Sequence, residues 1–164
     1  MKAVIQRVNG ASVEIENPAQ TAGKIKKGLL ILLGIGKNDT VETVQKMTAR
    51  IPRLRIFEDN QGKMNLSLTD INGEILVVSQ FTLYADTEQG LRPSFTNACE
   101  PNRAKELYER FIAELRYAGT KTESGIFGAQ MKVKLENDGP VTFIMEAWEN
   151  TQLSIFLYEK SLLF

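Results

Sequence analysis

The chain contains no histidine and a single cysteine, Cys99, among its 164 residues. Without histidine, no serine or cysteine can be activated by an imidazole, and no imidazole can shuttle protons. The same shortages remove the usual zinc ligand set and any internal disulfide, so nothing argues for export. No tight acidic cluster asks for a magnesium ion. No metal and no cofactor is therefore expected. Long apolar runs are also missing: none approaches the ~18 residues needed to span a bilayer. Met1-Lys2-Ala3-Val4-Ile5-Gln6-Arg7 turns polar too early for a secretory signal. A cytoplasmic protein without a membrane partner is expected. An excess of one charge is absent too, with 20 basic and 20 acidic side chains. Any contact with nucleic acid must come from a local patch.

The composition itself is ordinary: 43% hydrophobic and 24% charged residues suit one globular domain. No repeat or linker interrupts it. Residues 2–8 and 11–16 are rich in β-branched residues and read as two strands separated at Asn9-Gly10. A third strand is expected near 22–27. Leu29-Leu30-Ile31-Leu32-Leu33 reads as a buried one. A helix is expected from Asp39, which has capping-box spacing to Glu42, up to Pro52. Strands are expected around Leu54 and Ile56 and over Glu74 to Leu83. A long loop from Tyr84 to Cys99 follows. Pro101 opens a second helix whose apolar face is Ala104, Leu107, Tyr108, Phe111 and Leu115, and Gly119 closes it. Residues 131–135 and 141–145 read as strands around an Asn137-Asp138-Gly139-Pro140 turn. The pattern predicts an α+β single domain of mainly antiparallel sheets, forming a barrel-like core with two main helices.

Several segments could carry chemistry. Gly36-Lys37 fails as a phosphate loop: Ile31 stands where a glycine is needed, and Asn38 where Ser or Thr is needed. Cys99 has no histidine to activate it. At Ser79-Gln80-Phe81-Thr82-Leu83 an apolar strand hands over to a loop, where hydroxyls, an amide and backbone N–H groups gather; a strand end with local hydrogen bonds would look the same. Asn137-Asp138-Gly139-Pro140-Val141-Thr142 reads as a hairpin turn, or as a fixed polar edge if the Gly-Pro peptide is cis. Arg92, in Gly90-Leu91-Arg92-Pro93-Ser94-Phe95, could bind a phosphate or carboxylate, or be a solvated loop residue. Lys24, Lys26 and Lys27, and likewise Arg50, Arg53 and Arg55, are either RNA-backbone contacts or solvated faces.

These segments together resemble the D-aminoacyl-tRNA deacylase family. Residues 79–83 resemble one of its signatures and residues 137–142 the other. The opening Met1 to Val8, Gly62-Lys63-Met64-Asn65, Gly90 to Phe95 and Phe127-Gly128-Ala129-Gln130-Met131 follow the same order. The resemblance spans residues 1–147, leaving 148–164 as a C-terminal extension of unknown role. It implies a homodimer that hydrolyses the ester of D-aminoacyl-tRNA at the terminal adenosine, and glycyl-tRNA as well. It implies a cis Gly139-Pro140 peptide that enters the partner subunit's site, receives the amino group and excludes an L side chain. Ser79, Gln80, Phe81 and Thr82 would lie at the ester, with the Phe81 N–H as oxyanion donor and the RNA 2′-hydroxyl in place of a protein base. Thr82 has been viewed as a nucleophile in the family, yet nothing here visibly activates it. Asn137, Gly139, Pro140 and Thr142, with Met131 at the adenosine pocket and Arg92, complete the expected substrate-binding set. A small-ester hydrolase and a noncatalytic dimeric binding module are the competing readings.

Overall fold

A computed structural model describes residues 1–16, 19–88, 90–147 and 154–157. The expected extension, 148–164, lies outside the described residues apart from 154–157. The strands are β1 (Lys2–Glu16), β2 (Ala19–Ile25), β3 (Gly28–Gly34), β4 (Phe57–Glu58), β5 (Met64–Leu66), β6 (Glu74–Ser79), β7 (Thr122–Ser124), β8 (Met131–Glu146) and β9 (Ser154–Leu157). The helices are α1 (Val41–Arg50) and α2 (Pro101–Tyr117). The main sheet runs β7-β6-β3-β1-β8-β9, with β2 also paired to β1; β4 and β5 form a separate hairpin. The fold is α+β, with two helices against a nearly closed, barrel-like sheet.

Strand β1 organises this architecture. Its first half pairs with β3, from Lys2↔Gly34 to Val8↔Gly28, and its second half with β2, from Ala11↔Ile25 to Glu16↔Ala19. Strand β8 follows it from Lys2↔Glu146 to Ile15↔Met131. The expected break at Asn9-Gly10 is instead a register shift inside one continuous strand, a bulge that bends the sheet without ending it. The bend folds the second half back over the sheet. Val8, Ala11, Val13 and Ile25 then bury Leu30, Leu76 and Val78 on one face. On the other face Leu29, Ile31, Leu33, Ile75 and Val77 meet Val44 and Met47 of α1 and Leu107, Phe111 and Leu115 of α2. Covering both faces explains the unbroken apolar run of β3.

Most sheet pairs are antiparallel, but β3–β6 and β6–β7 are parallel, because helical crossovers return the chain to the same end of the sheet. Other local expectations shift. The α1 cap is Thr40 with Thr43, not Asp39 with Glu42: Asp39 is occupied in a buried network. The strand expected at Leu54 and Ile56 contracts to β4, since Leu54 and Ile56 pack on the core instead. The third strand starts earlier than expected, at Ala19.

Candidate active site

Strand β6 stops at Ser79, short of the expected Leu83. Gln80 adds one more ladder bond, its N–H donating to the Leu33 carbonyl at 2.8 Å, and the chain then tightens into a 3₁₀ turn over Phe81–Tyr84. In such a turn the leading N–H groups, here those of Phe81 and Thr82, have no acceptor within the turn, and no side chain caps them. The Gln80 amide turns the other way and donates to the Thr82 hydroxyl. That hydroxyl thus meets an amide and not a base.

Beside the turn lies a cleft of about 510 Å³, with Ser79, Gln80, Phe81, Cys99, Phe127 and Met131 among its lining residues. Phe81 is 58% exposed and meets Phe95 edge-on, ring centroids 5.0 Å apart. Burial pushes the Cys99 thiol above its ordinary range, so at neutral pH it is the protonated, weakly nucleophilic form. An apolar wall next to uncapped N–H groups suits a planar base or ring attached to a group that develops negative charge.

The second segment has a different character. Gln6 pairs with Thr142 and Val8 with Asn137, so Arg7 alone stands opposite residues 138–141. The segment is not a hairpin: β8 keeps its direction on both sides, and 138–141 bulge outward. Asn137 ties the base of the bulge, its Oδ1 accepting the Val141 N–H at 2.8 Å and its Nδ2 donating to the Val141 carbonyl at 3.3 Å and to Thr142 Oγ1 at 3.4 Å. Gln6 donates to the same Thr142 hydroxyl at 3.2 Å. At the tip, Gly139-Pro140 is cis and exposed, and Gly139 has φ +138°, a conformation few other residues adopt.

Arg7 lies beneath the bulge, 3% exposed. Its Nε donates to the Asp138 carbonyl at 3.0 Å and lies 3.2 Å from the Asp138 carboxylate. Its Nη1 donates to the Ile56 carbonyl at 2.7 Å, and Nη2 is 3.5 Å from Glu58. The reading of individual residues missed this arginine. Alternation was the available signal, because Ala3, Ile5 and Arg7 share the inward face of β1, where an unpaired cation would be costly.

The structure therefore gathers Ser79, Gln80, Phe81 and Met131 at one cleft, with Thr82 in the same turn. Asn137, Gly139, Pro140 and Thr142 form a separate projection; none lines the cleft of their own chain. Arg92 is exposed on the loop after Gly90, also outside the cleft lining. Lys24, Lys26, Lys27, Arg50, Arg53 and Arg55 are exposed, and Arg55 is engaged with the Asn65 carbonyl at 2.7 Å. Gly36-Lys37 is a strand-to-helix turn, with the Gly36 N–H on Asp39. Among the described residues, no helix is long and apolar enough to cross a membrane.

The family model for D-Tyr-tRNA(Tyr) deacylase matches residues 4–146. The chain belongs to the D-Tyr-tRNA(Tyr) deacylase family. Similar proteins described as D-aminoacyl-tRNA deacylase include one from Persephonella marina, 57% identical over 148 residues, covering 90% of this chain and 98% of the relative. Another, from Thermosipho melanesiensis, is 55% identical over 148 residues, with 90% and 97% covered. A solved structure described as c-Myc DNA Unwinding Element Binding Protein superimposes with a TM-score of 0.84 at 39% identity, covering 91% of this chain and all of that one. A probable eukaryotic D-amino acid tRNA deacylase, 16% identical, shares the fold at a TM-score of 0.76. The deacylase match takes in both the uncapped turn at Phe81 and the bulge at Gly139-Pro140.

Proposed function

We propose that this protein hydrolyses the ester joining a D-amino acid to the terminal adenosine of tRNA, in a site assembled from two copies of the chain. The observation that carries the reading is the separation of its two family signatures. One opens N–H groups beside an apolar cleft, while the other is tied at its base, exposed at its tip and outside the lining of that cleft. A second copy inserting its Gly139-Pro140 tip would complete the site, and its carbonyls would accept the amino group and occupy the space of an L side chain. The adenosine rests in the cleft beside Met131 and Phe127. Water attacks the ester carbonyl, the oxyanion forms at the Phe81 N–H, and the ribose oxygen leaves with a proton. The vicinal 2′-hydroxyl of the RNA handles that proton in a chain without histidine. Thr82 and Gln80 hold the turn and the attacking water, and Arg92 reaches the RNA backbone. Residues 1–147 form the deacylase unit, acting in the cytoplasm.

Matched D- and L-tyrosyl-tRNA test the activity. The D ester and glycyl-tRNA should be cleaved and the L ester spared; equal cleavage of both enantiomers defeats the steric wall. A substrate ending in 2′-deoxyadenosine should react far more slowly. The shared site is tested by mixing two inactive proteins, Phe81→Pro and Gly139→Val. Each mixed dimer would hold one intact cleft facing one intact tip, so activity should return. Failure to complement in demonstrated mixed dimers would refute the exchange.

A further inference from the structure

We propose that Tyr84, seated on Gly34 and Gly36, is the positioning residue that aims the Phe81 N–H. This rests on the reading of that N–H as the oxyanion donor. The reactive end of the 3₁₀ turn has no cap of its own, since the Gln80 side chain is committed to Thr82. The Gln80 N–H on the Leu33 carbonyl, at 2.8 Å, fixes where the turn begins; how the turn is rotated about that anchor depends on its far end, three residues on, where Tyr84 closes it. One 3₁₀ turn is about 6 Å long, so a single turn of backbone links Tyr84 to the Phe81 N–H.

The seat is built from the two glycines. Residues 34 and 36 lie on the same side of an extended chain, the side facing the turn. A Cβ on Gly36 would stand 2.6 Å from the Tyr84 ring and hydroxyl. One on Gly34 would stand 3.0 Å from the Leu83 Cβ and 3.1 Å from the Gln80 carbonyl oxygen. Ordinary contact needs roughly 3.5–4.0 Å, so a side chain at 36 would displace the Tyr84 ring by about 1 Å, while one at 34 would press the turn itself by only a few tenths of an ångström.

The ring is also held from other directions. Asp39, 8% exposed, accepts the Gly36 N–H at 2.7 Å and the Tyr84 hydroxyl at 3.4 Å on the same oxygen. Its other oxygen takes the Met1 amino group. The Lys2 ammonium sits 5.2 Å from the ring centroid, within cation–π range. Burial and the Asp39 charge push the Tyr84 phenol above its ordinary range, so it remains a donor. Asp39 thereby joins the seat to the wedge, which explains why it is not the helix cap.

A misplacement of about 1 Å at a reacting group can cost on the order of 10²-fold in rate. Gly36→Ala is therefore expected to lower kcat for D-tyrosyl-tRNA by roughly that factor, with KM little changed because the adenosine walls are untouched. Tyr84→Leu should lower kcat similarly. The double variant should be no worse than Tyr84→Leu alone, since both changes act through one contact. Tyr84→Phe, which keeps the wedge, should restore most of the rate. The Phe81 amide, followed by NMR in Gly36→Ala with the folded fraction measured on the same sample, should shift while the protein remains folded. An unmoved Phe81 amide overturns the proposal, as does full kcat in Tyr84→Leu or a loss of kcat that matches the loss of folded protein. If the unaltered protein cleaves no D-aminoacyl-tRNA, the proposed function falls separately, and the amide shift still decides whether Tyr84 positions the turn.

Discussion

The Phe81 turn ends one strand of the main sheet and the Gly139-Pro140 bulge interrupts another, and they handle their polar groups in opposite ways. The turn leaves its leading N–H groups open beside an apolar cleft. Beneath the bulge, Asn137 binds the main chain of Val141 and Arg7 binds that of Asp138, and the exposed tip takes no part in lining that cleft. Unsatisfied groups favour a ligand that will satisfy them. Satisfied ones make a rigid surface that can exclude. Under the proposed function, the contrast assigns binding and catalysis to the turn and shape selection to the bulge.

The largest break in that contrast should come from removing the open donor. Proline is tolerated at the first position of a helical turn, where its missing N–H costs the fold little. Phe81→Pro should cut kcat by about 10²–10³-fold, the usual loss for one oxyanion donor. Phe81→Ala, which keeps the N–H, should lose far less. Equal losses in the two variants, measured by single-turnover deacylation, would assign the role to the ring.

Removing the support of the bulge comes next. Arg7→Met leaves the Ile56 and Asp138 carbonyls and two carboxylates without their cation. The two carboxylates are solvent-accessible, so the main loss is the buried Ile56 carbonyl left without its donor, on the order of 1–3 kcal/mol, which denaturant unfolding should register. Discrimination between D- and L-tyrosyl-tRNA should weaken in the protein that remains folded. Asn137→Ala is milder: the Val141 N–H loses its acceptor, for about 1–2 kcal/mol, with selectivity loosened in the same direction.

Two smaller effects sharpen the comparison from outside it. Glu74 begins β6 at the end opposite Ser79. The Lys121 ammonium, and then the Lys26 N–H, hold its carboxyl below the ordinary value of 4.5. A lowered carboxyl pKa contributes stability that is present above pH 4.5 and is lost as pH falls through the folded-state value. The melting-temperature gap between the unaltered protein and Glu74→Gln should therefore be open at pH 6 and close in acid, with deacylation at neutral pH little affected. The smallest effect is expected at Cys99, whose thiol is protonated at neutral pH. Cys99→Ala should change kcat little, and alkylation of the native thiol should accelerate only above the ordinary thiol range.

Much of the fold was legible in sequence because burial leaves periodic traces. The α2 face, the apolar run of β3 and the half-buried start of β8 each follow one period. The errors share a cause. Asn9-Gly10 and Asn137-Asp138-Gly139-Pro140 carry ordinary turn chemistry, and local chemistry cannot distinguish a chain that reverses from one that bulges while its partner strand runs on. Asp39 has the right residue type for a helix cap, but an acceptor buried beside the Met1 amino group, Gly36 and Tyr84 is claimed by them first.

By itself the sequence determined the fold class, the family and the segments that carry its two signatures. It also excluded imidazole chemistry, because residue types and local periods are properties of the chain alone. Tertiary structure decided that Arg7 sits under the bulge, that the leading N–H groups of the Phe81 turn have no cap, and that the two signatures lie apart within one chain. Those facts depend on which strand lies beside which, and on where a long strand bends. The contact that seats Arg7 under the bulge joins residues 131 positions apart, a distance at which no local pattern operates.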